Sequence, residues 1–94
     1  MIMHKYRLRP IPHGPNGANS YIETHRHAVF RAWGIDDHGD LCSWCEVDET
    51  MPMVDHYFYV VSTDNAVPLK GMYMSTVHHP AGYELHIYKD GIRG

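Results

Sequence analysis

The sequence predicts a small, mainly β protein, with a five- or six-stranded antiparallel sheet curved into a sandwich or a partly open barrel. Three observations predict it. A strand-turn-strand unit is written into residues 27–47, where an extended run meets the turn Asp36, Asp37, His38, Gly39, Asp40 and returns. Aromatic and β-branched runs recur at 55–62, 72–77 and 83–88, as pleated surfaces favour. No stretch carries helical periodicity for more than two turns.

The first strand is expected at 3–9, closed by Pro10, because proline has no ladder donor and restricts the residue before it. Residues 11–20 hold two prolines after Pro10, two glycines and two asparagines, so they form a loop, either a functional arm or a poorly ordered insertion. Residues 23–32 allow a short helix by propensity, but Val29, Phe30 and Trp33 favour a strand from about Ala28. Strict alternation there places Val29, Arg31, Trp33 and Ile35 on one face and Ala28, Phe30, Ala32 and Gly34 on the other. Two apolar faces imply a central strand, or an edge covered by another subunit.

In the returning strand, Leu41, Ser43, Cys45 and Val47 oppose Cys42, Trp44 and Glu46. Residues 48–54 connect, and 55–62 form the strongest strand, with Tyr57, Phe58, Tyr59, Val60 and Val61 in succession. The last two strands form a hairpin around His78, His79, Pro80, Ala81 and Gly82. Tyr83, Leu85 and Ile87 face the core, and Glu84, His86 and Tyr88 face outward. Residues 90–94 are a frayed tail.

The 94 residues make one domain, 1–94. A chain of this length buries roughly 60–65% of its unfolded surface, so oligomerisation is an expected supplement to its core. The net charge of −3 gives no basic excess for a phosphate backbone, so nucleic acid is not the expected partner. No run of about 18 apolar residues offers a membrane span. The N-terminal segment lacks a signal peptide's apolar core, so a cytoplasmic location is expected, with Cys42 and Cys45 as reduced thiols.

The short segments His4-Lys5-Tyr6-Arg7-Leu8, Leu41-Cys42-Ser43-Trp44-Cys45-Glu46-Val47-Asp48 and Phe58-Tyr59-Val60-Val61-Ser62-Thr63 follow one another in a recognisable order. Ser75-Thr76-Val77, Gly82 and Leu85-His86-Ile87-Tyr88 complete it. This ordering resembles a family of small uncharacterised β-rich proteins encoded mainly by bacteriophages and their bacterial hosts. The likeness covers most of the chain apart from residues 11–20. Ser62 and Ser75 stand where related chains tend to have glycine, and Leu85 where a tryptophan is common. The resemblance implies a phage-type protein that acts by binding a host factor, in host defence or metabolism, inside the host cytoplasm.

Candidate chemistry is sparse. Nine histidines invite a metal, and His25 and His27, two apart on an extended segment, are the pair best placed to share an ion, with Glu23 as a third ligand. Cys42 and Cys45 sit three apart within a strand and so point to opposite faces, unlike the tight turn of a zinc knuckle. No nucleophile elbow and no glycine-rich phosphate loop is present. The expectation is therefore a non-enzymatic binding protein with no cofactor. A second expectation is a binder of a nucleotide-derived signal. Its stacking platform would come from Arg31, Trp33 and Trp44, with Tyr57, Tyr59 and His86 on a neighbouring face. Lys5, Arg7 and Arg9 alternate along the first strand and offer an anion site.

Overall fold

The computed structural model describes residues 1–68 and 70–90. Eight strands form, all paired antiparallel, and they divide between two sheets. The mainly β, antiparallel class is as expected, but the strand count is higher than five or six and the sheets do not close into a barrel.

The three-stranded sheet has the order β1 (Ile2–Arg7), β5 (Leu41–Val47), β4 (Val29–Ile35). The five-stranded sheet has the order β2 (Arg9–Pro10), β3 (Ser20–His25), β6 (Met53–Ser62), β8 (Glu84–Asp90), β7 (Gly71–His78). The chain passes from one sheet to the other at a single residue. Leu8 is buried, and its N–H donates to the Leu41 carbonyl (2.9 Å) before Arg9 begins to pair with Tyr21. Pro10 is tolerated because β2 is an edge strand.

Leu8, Ile22, Phe58, Val77 and Ile87 form the core, with Tyr6, Phe30, Trp33, Ile35, Leu41, Val60 and Met74 packed on it. The two sheets meet through aromatic edges. Phe30 and Trp33 of β4 lie 5.1 Å from Phe58 of β6, centroid to centroid, both in T-shaped arrangements. Such pairs add roughly 0.5–1.5 kcal/mol each beyond the area they bury.

The expected faces of β4 need correction. Its pairing to β5 shifts register between Phe30 and Ala32, a bulge that inserts one residue. Phe30 and Trp33, three apart, therefore both point into the core and stack at 5.9 Å. Val29 and Arg31 are left outside. With a single apolar face, β4 is an edge strand of its sheet and not the central one.

The Asp36–Asp40 turn is organised by one side chain. Asp36 accepts from the N–H groups of His38 (2.9 Å) and Asp40 (3.0 Å), and Gly39 takes the positive φ of 81° that closes it. No helix forms over residues 23–32. β3 ends at His25 and the chain reverses through His27, whose φ is 65°. The sequence expectation also missed β3 itself, whose Ser20 had been assigned to the preceding loop.

That loop is folded against the sheet. A 3-10 turn, Pro15–Gly17, is held by Gly14 and Ala18, and Ala18 is 1% exposed. A Cβ on Gly14 would lie 2.4 Å from the Ala18 carbonyl oxygen, so the turn requires glycine there. Asn19 then pairs with β6 through its side chain, accepting from Val60 N–H and donating to Val60 O, each at 2.9 Å. Asp90, expected in a frayed tail, is instead the buried last residue of β8 and pairs with Gly71. Residues 91–94 lie outside the described ones.

Candidate functional site

Alternation along the five-stranded sheet sends Ile22, His56, Phe58 and Ile87 inward and tyrosines outward. The register lines those tyrosines up across the strands. Tyr21 of β3 faces Tyr57 of β6, Tyr59 of β6 faces Tyr88 of β8, and Tyr88 faces Tyr73 of β7. The rings of Tyr73 and Tyr88 are 5.6 Å apart in an edge contact. Tyr59 is covered by the 11–20 loop, and its hydroxyl donates to Asn16 O at 3.0 Å. Asn16 also donates to Asp90, 3.2 Å away. The other four rings keep a surface open to solvent, and Tyr73 is the most exposed of them.

A second bulge shapes the far end of this face. The pairing of β7 to β8 shifts between Tyr73 and Ser75, so Met74 turns into the core while Tyr73 and Thr76 share the outer face. A chain of polar contacts begins there. Tyr73 Oη and Thr76 Oγ1 are 2.7 Å apart, and Thr76 Oγ1 is 2.9 Å from His86 Nδ1. His86 Nε2 is 2.9 Å from Thr63 Oγ1, which donates to Glu84 at 3.3 Å. Glu84 in turn meets His78 Nδ1 at 3.2 Å.

With the His86 proton on Nε2, every member is satisfied. Thr63 spends its hydroxyl proton on Glu84, so it accepts from His86 Nε2–H. His86 Nδ1 then accepts from Thr76, and Thr76 accepts from Tyr73.

Two shallow depressions flank Thr63. One, of about 430 Å³, lies at the hairpin tip among His78, His79, Tyr83 and Glu84, where the rings of His79 and Tyr83 stack 4.4 Å apart. The other, of about 250 Å³, lies among Val61, Asn65, Val67, His86 and Tyr88.

The remaining residues singled out from the sequence do not converge here. Tyr57, Tyr59 and His86 do lie on this face. Trp33 does not reach a surface with Arg31 and Trp44: it is packed into the core, with its indole N–H buried and without a protein partner. Arg31 is ion-paired with Glu46 on the outer face of the three-stranded sheet. Trp44 lies on that same face, its ring against Gly34. The stacking platform of Arg31, Trp33 and Trp44 is thus not assembled. Arg7 and Arg9 flank the sheet switch at Leu8. His25 Nδ1–H donates to Met51 O at 2.7 Å, and His27 sits in the turn that follows. Among the described residues no group of three or more His, Cys, Asp or Glu side chains is placed to hold a metal ion.

Tyr21, Thr63, Tyr73, Thr76 and Tyr88 were not singled out from the sequence as site residues. The signal available was a tyrosine on the outward phase of each of four strands, with two on β6.

Residues 1–92 match the family described as a domain of unknown function (DUF7352), and the chain belongs to that family. The match runs through the 11–20 loop. No curated protein and no solved structure matches the chain. Among the described residues no helix is long and apolar enough to cross a membrane.

Proposed function

We propose that this DUF7352 member is a non-enzymatic binding protein that docks a host protein on the tyrosine row of its five-stranded sheet. The row itself is the observation that carries the proposal. Tyrosine gives large contact area at a small entropy cost and is enriched in protein interfaces. The core is built without Tyr21, Tyr57, Tyr73 or Tyr88. The flanking depressions are open and shallow, which suits a protein surface better than a deeply enclosed metabolite. The polar chain through His86 fixes the face by joining Tyr73, Thr76, Thr63 and Glu84.

A phage-type protein acting on host defence or metabolism in the host cytoplasm is the setting we assign to it, on the sequence resemblance and on two buried, unpaired thiols. We also propose that it self-associates. β1 is an edge strand with Ile2 and Met3 exposed along it, and Met72 and Tyr73 are exposed on β7. Light scattering that finds only monomer at high concentration overturns self-association. The nucleotide-signal alternative is weaker, since it needs Trp33 at the surface.

The experiment compares capture from host lysate by the wild-type chain and by a Tyr57→Ser/Tyr88→Ser variant of equal folded content. A stoichiometric partner that is lost with the variant, and that binds again when purified, supports the proposal. A partner retained equally by both overturns it.

A further inference from the structure

A second site lies where the chain changes sheets. β1 is an edge of the three-stranded sheet and β2 an edge of the five-stranded one, and the two strands are separated only by buried Leu8. Alternation survives the switch. Tyr6 and Leu8 turn toward the core, and Lys5, Arg7 and Arg9 fall on the other side. A cleft of about 280 Å³ is lined by these three cations together with Tyr6, Ile22 and Glu23. Three positive charges therefore face one negative charge in a chain whose net charge is −3.

The cations are not equally committed. Lys5 meets Asp36 at 3.4 Å. Asp36 stays ionised, because the Asp40 N–H above all holds its carboxyl down to about 2. Arg7 lies 3.9 Å from Asp40, with both side chains well exposed, a spacing of little energetic weight. Arg9 makes no ion pair among the described residues. Two guanidinium groups, one loosely held and one unengaged, thus share a concave wall with an ammonium.

We propose that this cleft binds the phosphate of a small phosphate monoester. A carboxylate has two oxygens and fills one guanidinium fork. A dianionic phosphate presents three terminal oxygens, enough to engage both forks and the ammonium. The cations stop at Arg9, so the site fits a single phosphate group and not a polyanion track. Tyr6 supplies an apolar wall for the organic part of the ester. The proposal does not depend on partner binding at the tyrosine row.

The test is titration of the full chain, followed by backbone amide NMR at constant ionic strength, with inorganic phosphate, phenyl phosphate and acetate as probes. The expected result is saturable shifts confined to residues 5–9 and 22–23, with phenyl phosphate tighter than phosphate and acetate weakest. Arg9→Gln should weaken phenyl phosphate by about tenfold, the loss of a charge-assisted contact. Glu23→Gln should tighten it, by removing the one like charge, and it leaves the cations and the core untouched. Shifts scattered over the surface, equal response to acetate, or unchanged affinity in both variants would each overturn the site.

Discussion

Phe58 and Tyr57 are neighbours in one strand, and they should behave as opposites. Phe58 is fully buried, with Phe30 and Trp33 on its ring edges. Removing its side chain forfeits about 1.5–3 kcal/mol of transfer energy. The cavity and the lost ring contacts raise the cost of Phe58→Ala to about 3–5 kcal/mol. For a domain of this size each kcal/mol moves the midpoint by roughly 4–8 °C, so Tm should fall by at least about 12 °C. Tyr57 faces outward and makes one long side-chain hydrogen bond, to Asp55 at 3.4 Å. Tyr57→Ala should change stability by less than about 1 kcal/mol, as surface substitutions do. Urea unfolding followed by tryptophan fluorescence reads both, since Trp33 packs on Phe58. If Tyr57→Ala costs as much as Phe58→Ala, the faces are misassigned, and the tyrosine row is no longer a surface.

Other outcomes follow from the same geometry. Asn19→Ala should cost about 1–3 kcal/mol, because it leaves both Val60 backbone groups unpaired, and it should speed exchange of the Val60 amide; unaltered exchange would show that the loop is not held there. His56 is buried and burial pushes its pKa down, so the unfolded chain takes up a proton that the folded chain resists. Stability should therefore fall as pH drops below about 6.5, by up to roughly 1.4 kcal/mol per pH unit, and His56→Leu should flatten that limb in denaturant titrations. Asp36, held at about 2, should add a further loss as pH falls from 3.8 toward 2, a limb that His56→Leu leaves intact. Burial pushes the thiols of Cys42 and Cys45 up to about 11, so neither should react with a disulfide reagent at pH 8 until the chain unfolds; fast labelling of the native protein would contradict their burial.

The fold was legible wherever strict alternation held. The turn at Asp36–Asp40 and the hairpin around His78–Gly82 follow from residue type, and both form. Cys45, Val47 and Ile87 are buried as period two requires, but Tyr83, expected on the core face, is exposed at the hairpin tip against His79, because β8 begins only at Glu84. Alternation failed at two bulges, because a bulge puts residues three apart on one side. In β4 it sends both Phe30 and Trp33 inward, which removes Trp33 from the platform expected with Arg31 and Trp44. In β7 it sends both Tyr73 and Thr76 outward, which starts the polar chain to His86. Gly34 and Gly71 lie away from the two shifts, at Phe30/Ala32 and Tyr73/Ser75, so residue type gave no warning there. β3 was missed for a different reason. Its edge partner β2 has two residues, and much of its pairing with the rest of the fold lies with β6, thirty residues away.

The two outer faces of the sandwich argue for which side works. On the three-stranded sheet Lys5 is answered by Asp36 and Arg31 by Glu46. A partner arriving there would have to break or bury ion pairs, and desolvating them offsets much of what contact returns. On the five-stranded sheet the hydroxyls of Tyr73, Thr76 and Thr63 are already joined to His86 and Glu84. Apolar ring surface is offered between them with few charges to strip of water. Association on that face gains area without first dismantling the protein's own contacts. The same reasoning sets apart the cleft at Leu8, where the gain lies in pairing the unengaged Arg9 and the loosely held Arg7 with a small anion.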